Sequence, residues 1–266
     1  MSALPEHPVE RLLAIMAALR GPDGCPWDRA QSYASIVPHT LEEAYEVADT
    51  IERADLDALP GELGDLLFQV VFYARIAEEE GRFDFLDVVR SINAKLERRH
   101  PHVFAEQAVA DEKLRQRWED SKAQERAARD QHSVVDDIPQ ALPALTRAAK
   151  LQKRVATVGF DWDALGPVAD KVTEELAEVL EEAEQQPSDA ERVAEEVGDL
   201  LFAVTNLARH LKVDPEQALR RANAKFELRF RGVEQLCEQH GVAIQQAGLE
   251  RLEGFWQDVK RAEKSR

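Results

Sequence analysis

Cysteine is scarce in this chain of 266 residues, which contains only Cys25 and Cys237. Two thiols cannot build the disulfide framework of a small secreted domain, so the sequence favours a reducing compartment. Long apolar runs are missing as well, because no stretch reaches the roughly 18 uninterrupted apolar residues of a membrane span. The apolar segment 12–16 follows charged residues and is soon interrupted by Arg20 and Gly21, unlike a signal peptide. We therefore expect a cytoplasmic protein without a membrane partner.

Basic residues are in deficit. The chain carries 34 lysines and arginines against 51 aspartates and glutamates, which gives a net charge of -17. Such a balance argues against binding nucleic acid through its phosphate backbone. It leaves open an anionic substrate that is held through metal ions.

Signals for β-strands and for the usual nucleotide-binding loops are also few. The chain has few β-branched runs, and it contains neither a Gly-x-x-x-x-Gly-Lys loop nor a Gly-x-Gly-x-x-Gly loop. Helical periodicity instead predicts an all-α fold, with helices over residues 8–19, 40–53, 59–80, 86–99 and 111–129.

The second half of the chain repeats the motifs of the first at offsets of 130 to 138 residues. The matching pairs are Glu42-Glu43-x-x-Glu46 with Glu174-Glu175-x-x-Glu178, Glu62-x-Gly64-Asp65 with Glu196-x-Gly198-Asp199, Asn93-Ala94-Lys95 with Asn223-Ala224-Lys225, and Trp118-x-Asp120-x-Lys122 with Trp256-x-Asp258-x-Lys260. The repeat predicts two helical domains in tandem, over residues 1–125 and 126–266.

Acidic residues three apart on helices project from one face, so two such helices can bring four carboxylates together. At about 5 Å and an effective dielectric of about 20, each pair of these charges repels by about 3 kcal/mol. A cation must offset this repulsion, and oxygen ligands suit Mg²⁺ first and then Mn²⁺ or Ca²⁺. The predicted quartets are Glu175, Glu178, Glu196 and Asp199 in the second half and Glu43, Glu46, Glu62 and Asp65 in the first.

The position of Asp199 favours a metal site over a solvated acidic face. It precedes the apolar run 200–204, which we expect to be buried, and a lone charge does not belong there. Gly64 and Gly198 lie between the acidic residues, where we expect close approach of two helices. A di-iron redox site is disfavoured because neither acidic helix carries a Glu-x-x-His pair.

Basic residues near the quartet are candidates to bind phosphate oxygens. Lys225 and Arg229 share a helix face, and Lys171 lies within one turn of Glu174. Each is also compatible with an ordinary surface face. Trp256 is compatible with a core position and with stacking near a ligand.

Taken together, these motifs and the segment Gly24-Cys25-Pro26-Trp27-Asp28 resemble the MazG nucleoside triphosphate pyrophosphohydrolases in their two-domain bacterial form. The resemblance covers residues 9–260. It implies helical bundles completed by a homodimer, and Mg²⁺-dependent hydrolysis of ribo- and deoxyribonucleoside triphosphates to the monophosphate and pyrophosphate. All-α relatives specific for one nucleotide, such as dimeric dUTPases and phosphoribosyl-ATP pyrophosphatases, leave a narrower substrate open.

Carried onto this chain, the resemblance assigns the metal ligands to the second quartet. It assigns nucleotide contacts to Lys171, Glu174, Arg192, Glu195, Lys225, Arg229 and Trp256. Glu174 and Glu195 are our candidates for the general base, because neither is assigned to the metal.

The two copies are not equivalent. Lys171 aligns with His39, and Glu195 aligns with Gly61. We therefore expect the second half to hold the main activity and the first half to be weakened, regulatory or structural. The rival from another class is a helical dimerisation scaffold whose acidic faces only maintain solubility.

Overall fold

A computed structural model describes residues 4–104, 133–186 and 189–264, and within these ranges the chain is helical with no β-strand. The predicted all-α fold is confirmed. The chain forms two compact units, Met1–Ser121 (unit 1) and Lys122–Arg266 (unit 2). The predicted domain boundary at residues 125–126 and the predicted helix 111–129 fall outside the described residues, as does Trp118. Among the described helices, none combines the length and the apolar character needed to cross a bilayer.

Unit 1 contains six helices in its described part. They are α1 (Pro8–Leu19), α2 (Pro26–Ala30), α3 (Tyr33–Glu52), α4 (Leu59–Glu79), α5 (Phe85–Arg99) and α6 (Pro101–Phe104). The prediction for α3 was wrong at its N-terminus, which begins seven residues before residue 40. Ser32 and Ser35 exchange side-chain to backbone hydrogen bonds in a capping box that starts the helix, and Pro38 lies inside it.

The helices α3 and α4 form an antiparallel hairpin. Thr40 contacts Tyr73 through their hydroxyl groups at 2.9 Å, and Gln69 Nε2 donates to Glu43 Oε1 at 3.5 Å one turn further along. Helices α1 and α5 pack against α4. Their apolar faces enclose a core of Met16, Ile36, Val71, Phe72 and Ile76.

Unit 2 repeats this arrangement and extends it. Its helices are α7 (Ala144–Ala156), α8 (Leu165–Glu184), α9 (Ala190–His210), α10 (Pro215–Gln239) and α11 (Gly248–Lys264), with a 3₁₀ turn at Ile244–Gln246. α8 and α9 form the hairpin that corresponds to α3 and α4, and α7 packs against α9. α10 contacts α7 and pairs with α11 around Val233, Cys237 and Phe255.

The expected burial of the apolar run 200–204 was wrong in part. α9 buries Ala203, whereas Leu201 is 51% exposed and Phe202 and Val204 are also exposed. The reason is that the neighbouring helices of the same chain cover only one side of the run. Asp199 is exposed as well.

The expected role of the two glycines in close helix approach was also wrong within the chain. A Cβ built on Gly64 or Gly198 meets no atom within 4 Å among those considered around it. Neither glycine is therefore required by packing between the helices of its own hairpin.

The segment between α7 and α8 is tied to the end of α9 by Asp161. Its Oδ1 accepts hydrogen bonds from Arg209 Nη2 and from the Trp162 backbone amide, the latter at 3.0 Å, and contacts His210 Nε2 at 3.0 Å. The hydrogen bond from the Arg209 guanidinium, more than the contact with His210, lowers the pKa of the Asp161 carboxyl. These bonds join the segment that carries Phe160 and Trp162 to the end of α9.

Replacing Phe72 by Ala tests the core of unit 1. Phe72 is 1% exposed, so the substitution leaves a cavity and is expected to lower the free energy of unfolding by about 3 to 5 kcal/mol. Urea denaturation followed by circular dichroism measures the loss. The control is Phe83→Ala in the same unit, where the ring is 42% exposed and the expected loss is about 1 kcal/mol or less. Equal losses from the two variants would contradict the assigned core.

Replacing Asp161 by Asn tests the link to Arg209. Because the pKa of Asp161 is lowered in the folded chain, the ionised carboxylate stabilises the fold above its ordinary pKa of 3.8. At neutral pH, the free energy of unfolding of the wild type should exceed that of the variant by about 1 kcal/mol, because solvent partly screens the Asp161–Arg209 pair. The difference should shrink as the pH falls below 3.8. Thermal unfolding at several pH values measures the difference, and a difference that stays the same at every pH would contradict the assigned role of the Asp161 carboxylate.

Candidate functional site

Three carboxylates meet where α8 faces α9 in unit 2. Glu175, Glu196 and Asp199 each offer an oxygen atom, and these oxygens lie within 4.8 Å of one another. Glu175 is buried, because it points from α8 toward α9. The structure thus brings together three of the four residues predicted as metal ligands, which we call the unit 2 carboxylate cluster.

Glu178, the fourth predicted ligand, lies one turn beyond Glu175 and outside this close group. Burial raises the pKa of Glu178, and the charges of Glu175, Glu174 and Glu196 raise it further, against an opposing effect from Lys171. A raised pKa means that the negative form is disfavoured where it stands. Burial and the surrounding negative charges thus act together against the ionised form of Glu178.

Lys171 provides positive charge on one side of the cluster. Its ammonium group donates to Glu174 Oε1 at 2.8 Å and pairs with Glu175 Oε1 at 2.7 Å. The bond to Glu174, followed by the bond to Glu175, raises the pKa of Lys171. Lys171 is therefore protonated at neutral pH, and it holds both carboxylates on the side of the cluster that faces the start of α8.

A second ion pair lies on the other side of the cluster, toward the loop of the hairpin. Arg192 Nη2 donates to Glu182 Oε1 at 2.7 Å, and the Glu182 side chain is almost fully buried. The cluster thus lies between the two ion pairs of Lys171 within α8 and the Arg192–Glu182 ion pair, which joins α8 to α9. Glu195 lies next to Glu196 in sequence and is exposed to solvent.

The other three predicted nucleotide contacts lie on α10 and α11. Arg229 pairs with Glu263 at 2.7 Å and stands over the ring of Trp256 at 5.8 Å. Trp256 also packs against Phe226, with 5.3 Å between the ring centroids. Together with Lys225, these residues do not line the cavity at the carboxylate cluster, and Trp256 packs against the core of the α10–α11 pair.

The cavity has a volume of about 630 Å³ and extends away from the carboxylates along the hairpin. Lys171, Glu175 and Asp199 line its charged part. The remainder is mostly apolar and aromatic and includes Phe160, Trp162, Val155 and Val168, together with Gln152, Asn206 and the Asp161–Arg209 ion pair. Its size and polarity are those of a small-molecule site.

The sequence analysis missed the residues that line the mostly apolar part of the cavity, although the sequence contained a signal for some of them. Gly159-Phe160-Asp161-Trp162 follows the first long helix of unit 2 as Gly24-Cys25-Pro26-Trp27-Asp28 follows that of unit 1. A Trp-containing segment at the same place in both copies indicates a shared structural position. Gln152 had no such signal, because a single glutamine on a helix is unremarkable in sequence.

Unit 1 retains a similar group of acids. Glu43, Glu62 and Asp65 offer oxygens within 4.8 Å of one another, and we call them the unit 1 carboxylate cluster. Burial, followed by the charge of Glu46, raises the pKa of Glu43. His39 occupies the position of Lys171, and its Nδ1 lies 3.7 Å from a Glu42 oxygen. Unit 1 thus keeps the acids and lacks the lysine.

The donor set of both clusters consists of carboxylate oxygens. Such a set fits a hard divalent cation, whose positive charge would offset the mutual repulsion of the acids. In unit 2, the same cation could also meet the phosphate groups of a ligand in the adjoining cavity. The geometry therefore supports metal-assisted chemistry on a phosphorylated small molecule.

Comparison with known proteins agrees with this geometry. A sequence profile of the MazG nucleotide pyrophosphohydrolase domain matches residues 31–104 and 168–233, one segment in each unit. The chain is 57% identical to the nucleoside triphosphate pyrophosphohydrolase of Escherichia coli K12, over 96% of this chain and 98% of the relative. It is 43% identical to the nucleoside triphosphate pyrophosphohydrolase/pyrophosphatase MazG of Thermotoga maritima, over 94% of this chain and 95% of the relative.

A third relative matches over a shorter stretch. The nucleoside triphosphate pyrophosphohydrolase of Mycolicibacterium smegmatis is 41% identical over 59% of this chain and 50% of its own length. The resemblance drawn from the motifs is confirmed, because the profile matches in both units and two relatives match over nearly their whole length. The chain belongs to the MazG nucleotide pyrophosphohydrolase family.

Proposed function

We propose that this chain hydrolyses nucleoside triphosphates, ribo and deoxyribo, to the nucleoside monophosphate and pyrophosphate, and that unit 2 carries the activity. The observation that carries the proposal is the unit 2 carboxylate cluster at the charged part of a ligand-sized cavity. Family membership and the names of the full-length relatives support the reaction class.

Glu175, Glu178, Glu196 and Asp199 would hold Mg²⁺, or Mn²⁺ in its place. The cation, when bound, supplies the positive charge that lets a triphosphate approach an acidic site. The chain as a whole carries a net charge of -17, so an anionic substrate needs such local compensation. The same net charge supports our prediction that nucleic acid is not a ligand. The cytoplasmic location also stays a prediction.

The residues of unit 2 then position a water molecule for in-line attack on the α-phosphorus. Glu174 or Glu195 takes the proton of this water as the new phosphorus–oxygen bond forms. The bond from the α-phosphorus to the bridging oxygen breaks, and pyrophosphate leaves with its electron pair. Glu174 is bonded to Lys171 in this structure, so contact of Lys171 with a phosphate group would free the carboxylate for this role.

The remaining nucleotide contacts are proposals of unequal support. Lys171 lines the cavity, and Arg192 lies one turn from Glu196 on α9, so both can approach a bound phosphate. Lys225, Arg229 and Trp256 do not line it, and their assignment rests on the resemblance alone.

Matched substitutions in the two units test the proposed site. Glu175→Gln removes a carboxylate charge from the unit 2 cluster and is expected to lower pyrophosphate release by about a hundredfold. Glu43→Gln makes the same change in unit 1 and should alter pyrophosphate release by less than about twofold. The assay measures pyrophosphate and orthophosphate from a panel of nucleoside triphosphates, with Mg²⁺ or with chelator.

Each contrary outcome of this assay has a distinct meaning. Release of orthophosphate alone would place attack at another phosphorus. Turnover of a single nucleotide would establish the narrower substrate range, and equal loss from both variants would contradict the assignment to unit 2. No release from any nucleotide by a folded protein would favour the scaffold interpretation.

We further propose that a second copy of the chain covers the apolar side of the α8–α9 hairpin. Leu176, Leu180, Leu201 and Val204 are exposed there, although such apolar faces of helices are normally buried. The open space at Gly198 leaves room for an approaching helix. A twofold dimer would cover the same face on both copies.

Light scattering coupled to size exclusion tests this interface. The wild type should have the mass of two chains, and Leu201→Glu should shift it toward one chain because the new charge would be buried. Leu249→Glu is the control, because Leu249 is 83% exposed at the start of α11 and its substitution should leave the dimer intact. A wild-type mass of one chain would contradict the proposed dimer.

A further inference from the structure

We propose that the unit 2 cavity binds the nucleobase of the substrate, and that Gln152 recognises the base through a hydrogen bond. The inference rests on the proposed function, because it assigns the part of the nucleotide that lies beyond the phosphates. Neither Gln152 nor the aromatic segment Phe160–Trp162 falls within the segments matched by the family profile, which resume at residue 168.

The direction of the cavity follows from the geometry of its helices. Val168 precedes Glu175 by seven residues on α8, and Asn206 follows Asp199 by seven residues on α9. Because the two helices are antiparallel, both displacements point the same way, about 10 Å from the carboxylates at about 1.5 Å per residue. A ligand with phosphates at the cluster thus extends its uncharged part toward Gln152, Phe160 and Trp162.

The walls of this part of the cavity suit a flat, partly polar ring. Phe160 and Trp162 offer aromatic surface, and Val155 and Val168 offer aliphatic surface. Aromatic side chains stack on any base, because every base has a π face. Stacking gives affinity without choosing among bases, so discrimination must come from the polar groups of the cavity.

Gln152 is a polar residue of the cavity wall with unused hydrogen-bonding capacity. It is 5% exposed, and it is the buried residue of α7. Its Nε2 donates to the backbone carbonyl oxygen of Phe202 at 2.8 Å. A carbonyl oxygen only accepts, so this bond fixes which end of the amide faces α9. The Oε1 atom is left buried and without a hydrogen-bond partner.

A buried acceptor without a partner is unfavourable, and because Gln152 lines the cavity we assign a donor group of the ligand as the partner of its Oε1. Every common nucleobase carries at least one N–H donor on an exocyclic amino group or a ring nitrogen. Amide side chains pair with such edges in known base recognition. Asn206, a second buried amide in the cavity, accepts from Arg209 Nε at 2.9 Å and is held in place by it.

Unit 1 keeps its acids but carries apolar residues at the positions that correspond to Gln152 and Asn206. The residue seven positions after Asp65 is Phe72, whereas the residue seven positions after Asp199 is Asn206. Met16 is the buried residue of α1, as Gln152 is of α7. Met16 and Phe72 pack together in the core of unit 1. The space that is open in unit 2 is thus filled by apolar side chains in unit 1.

The first experiment replaces Gln152 by Met and measures kcat/KM for ATP, GTP, CTP, UTP and ribose 5′-triphosphate, which carries no base. We expect the loss for the four nucleotides to exceed the loss for ribose 5′-triphosphate by about tenfold, since one hydrogen bond to the base is removed. The differences in kcat/KM among the four nucleotides should become smaller at the same time. Gln235→Met, at an exposed position of α10, is the matched control and should change nothing.

Equal losses for all five substrates would show that Gln152 maintains the structure of the site, and this result would overturn the proposal. Unchanged values for all five substrates would overturn it as well. If the wild type releases no pyrophosphate, the proposed function is wrong, and the base pocket is then tested by nucleotide binding instead of turnover. Calorimetry then compares AMP with ribose 5-phosphate. Tighter binding of AMP that is lost in Gln152→Met supports the base pocket, and equal affinities contradict it.

A second variant keeps the inference testable if Gln152→Met does not fold. Asn206→Phe introduces the side chain that unit 1 carries at this position, and it should close the cavity. Nucleotide turnover should fall at least about tenfold, while far-UV circular dichroism and cooperative unfolding match the wild type. Full turnover of ATP by this variant would show that the base does not enter the cavity.

Discussion

The repulsion among carboxylates that the α8–α9 hairpin holds together is the constraint on which the site depends. Two helices in register place acids three residues apart on facing sides, and three of their oxygens come within 4.8 Å. Two basic residues of the hairpin offset part of this repulsion. Lys171 pairs with Glu175 on one side, and Arg192 pairs with the buried Glu182 on the other. Burial and the charges of the neighbouring acids raise the pKa of Glu178, one turn beyond the cluster.

The two units share this constraint and differ in what surrounds it. Unit 1 keeps the acids, replaces the lysine by His39, and fills the adjoining space with Phe72. Unit 2 keeps the lysine and leaves the space open. The difference between the copies is therefore one of side chains around the same hairpin, which explains how similar helices enclose an open cavity in unit 2 and an apolar core in unit 1.

Sequence patterns predicted what depends on local geometry. The ends of α1 and α4 were predicted to within one residue, and the acidic clusters followed from helical spacing. The start of α3 was missed because the Ser32 capping box outweighs Pro38. Burial of the run 200–204 was misjudged because periodicity identifies an apolar face without showing what covers it. The cavity was missed because Gln152 meets α9 only through tertiary contact.

The partner of Gln152 is a main-chain atom, the carbonyl oxygen of Phe202. Its position is set by the helix and not by the identity of the side chain at 202. The orientation of the amide thus tolerates substitution at that position, where the side chain itself is exposed. Through this one bond, the orientation of Gln152 is independent of the side chain at position 202, although residue 202 itself lines the same cavity.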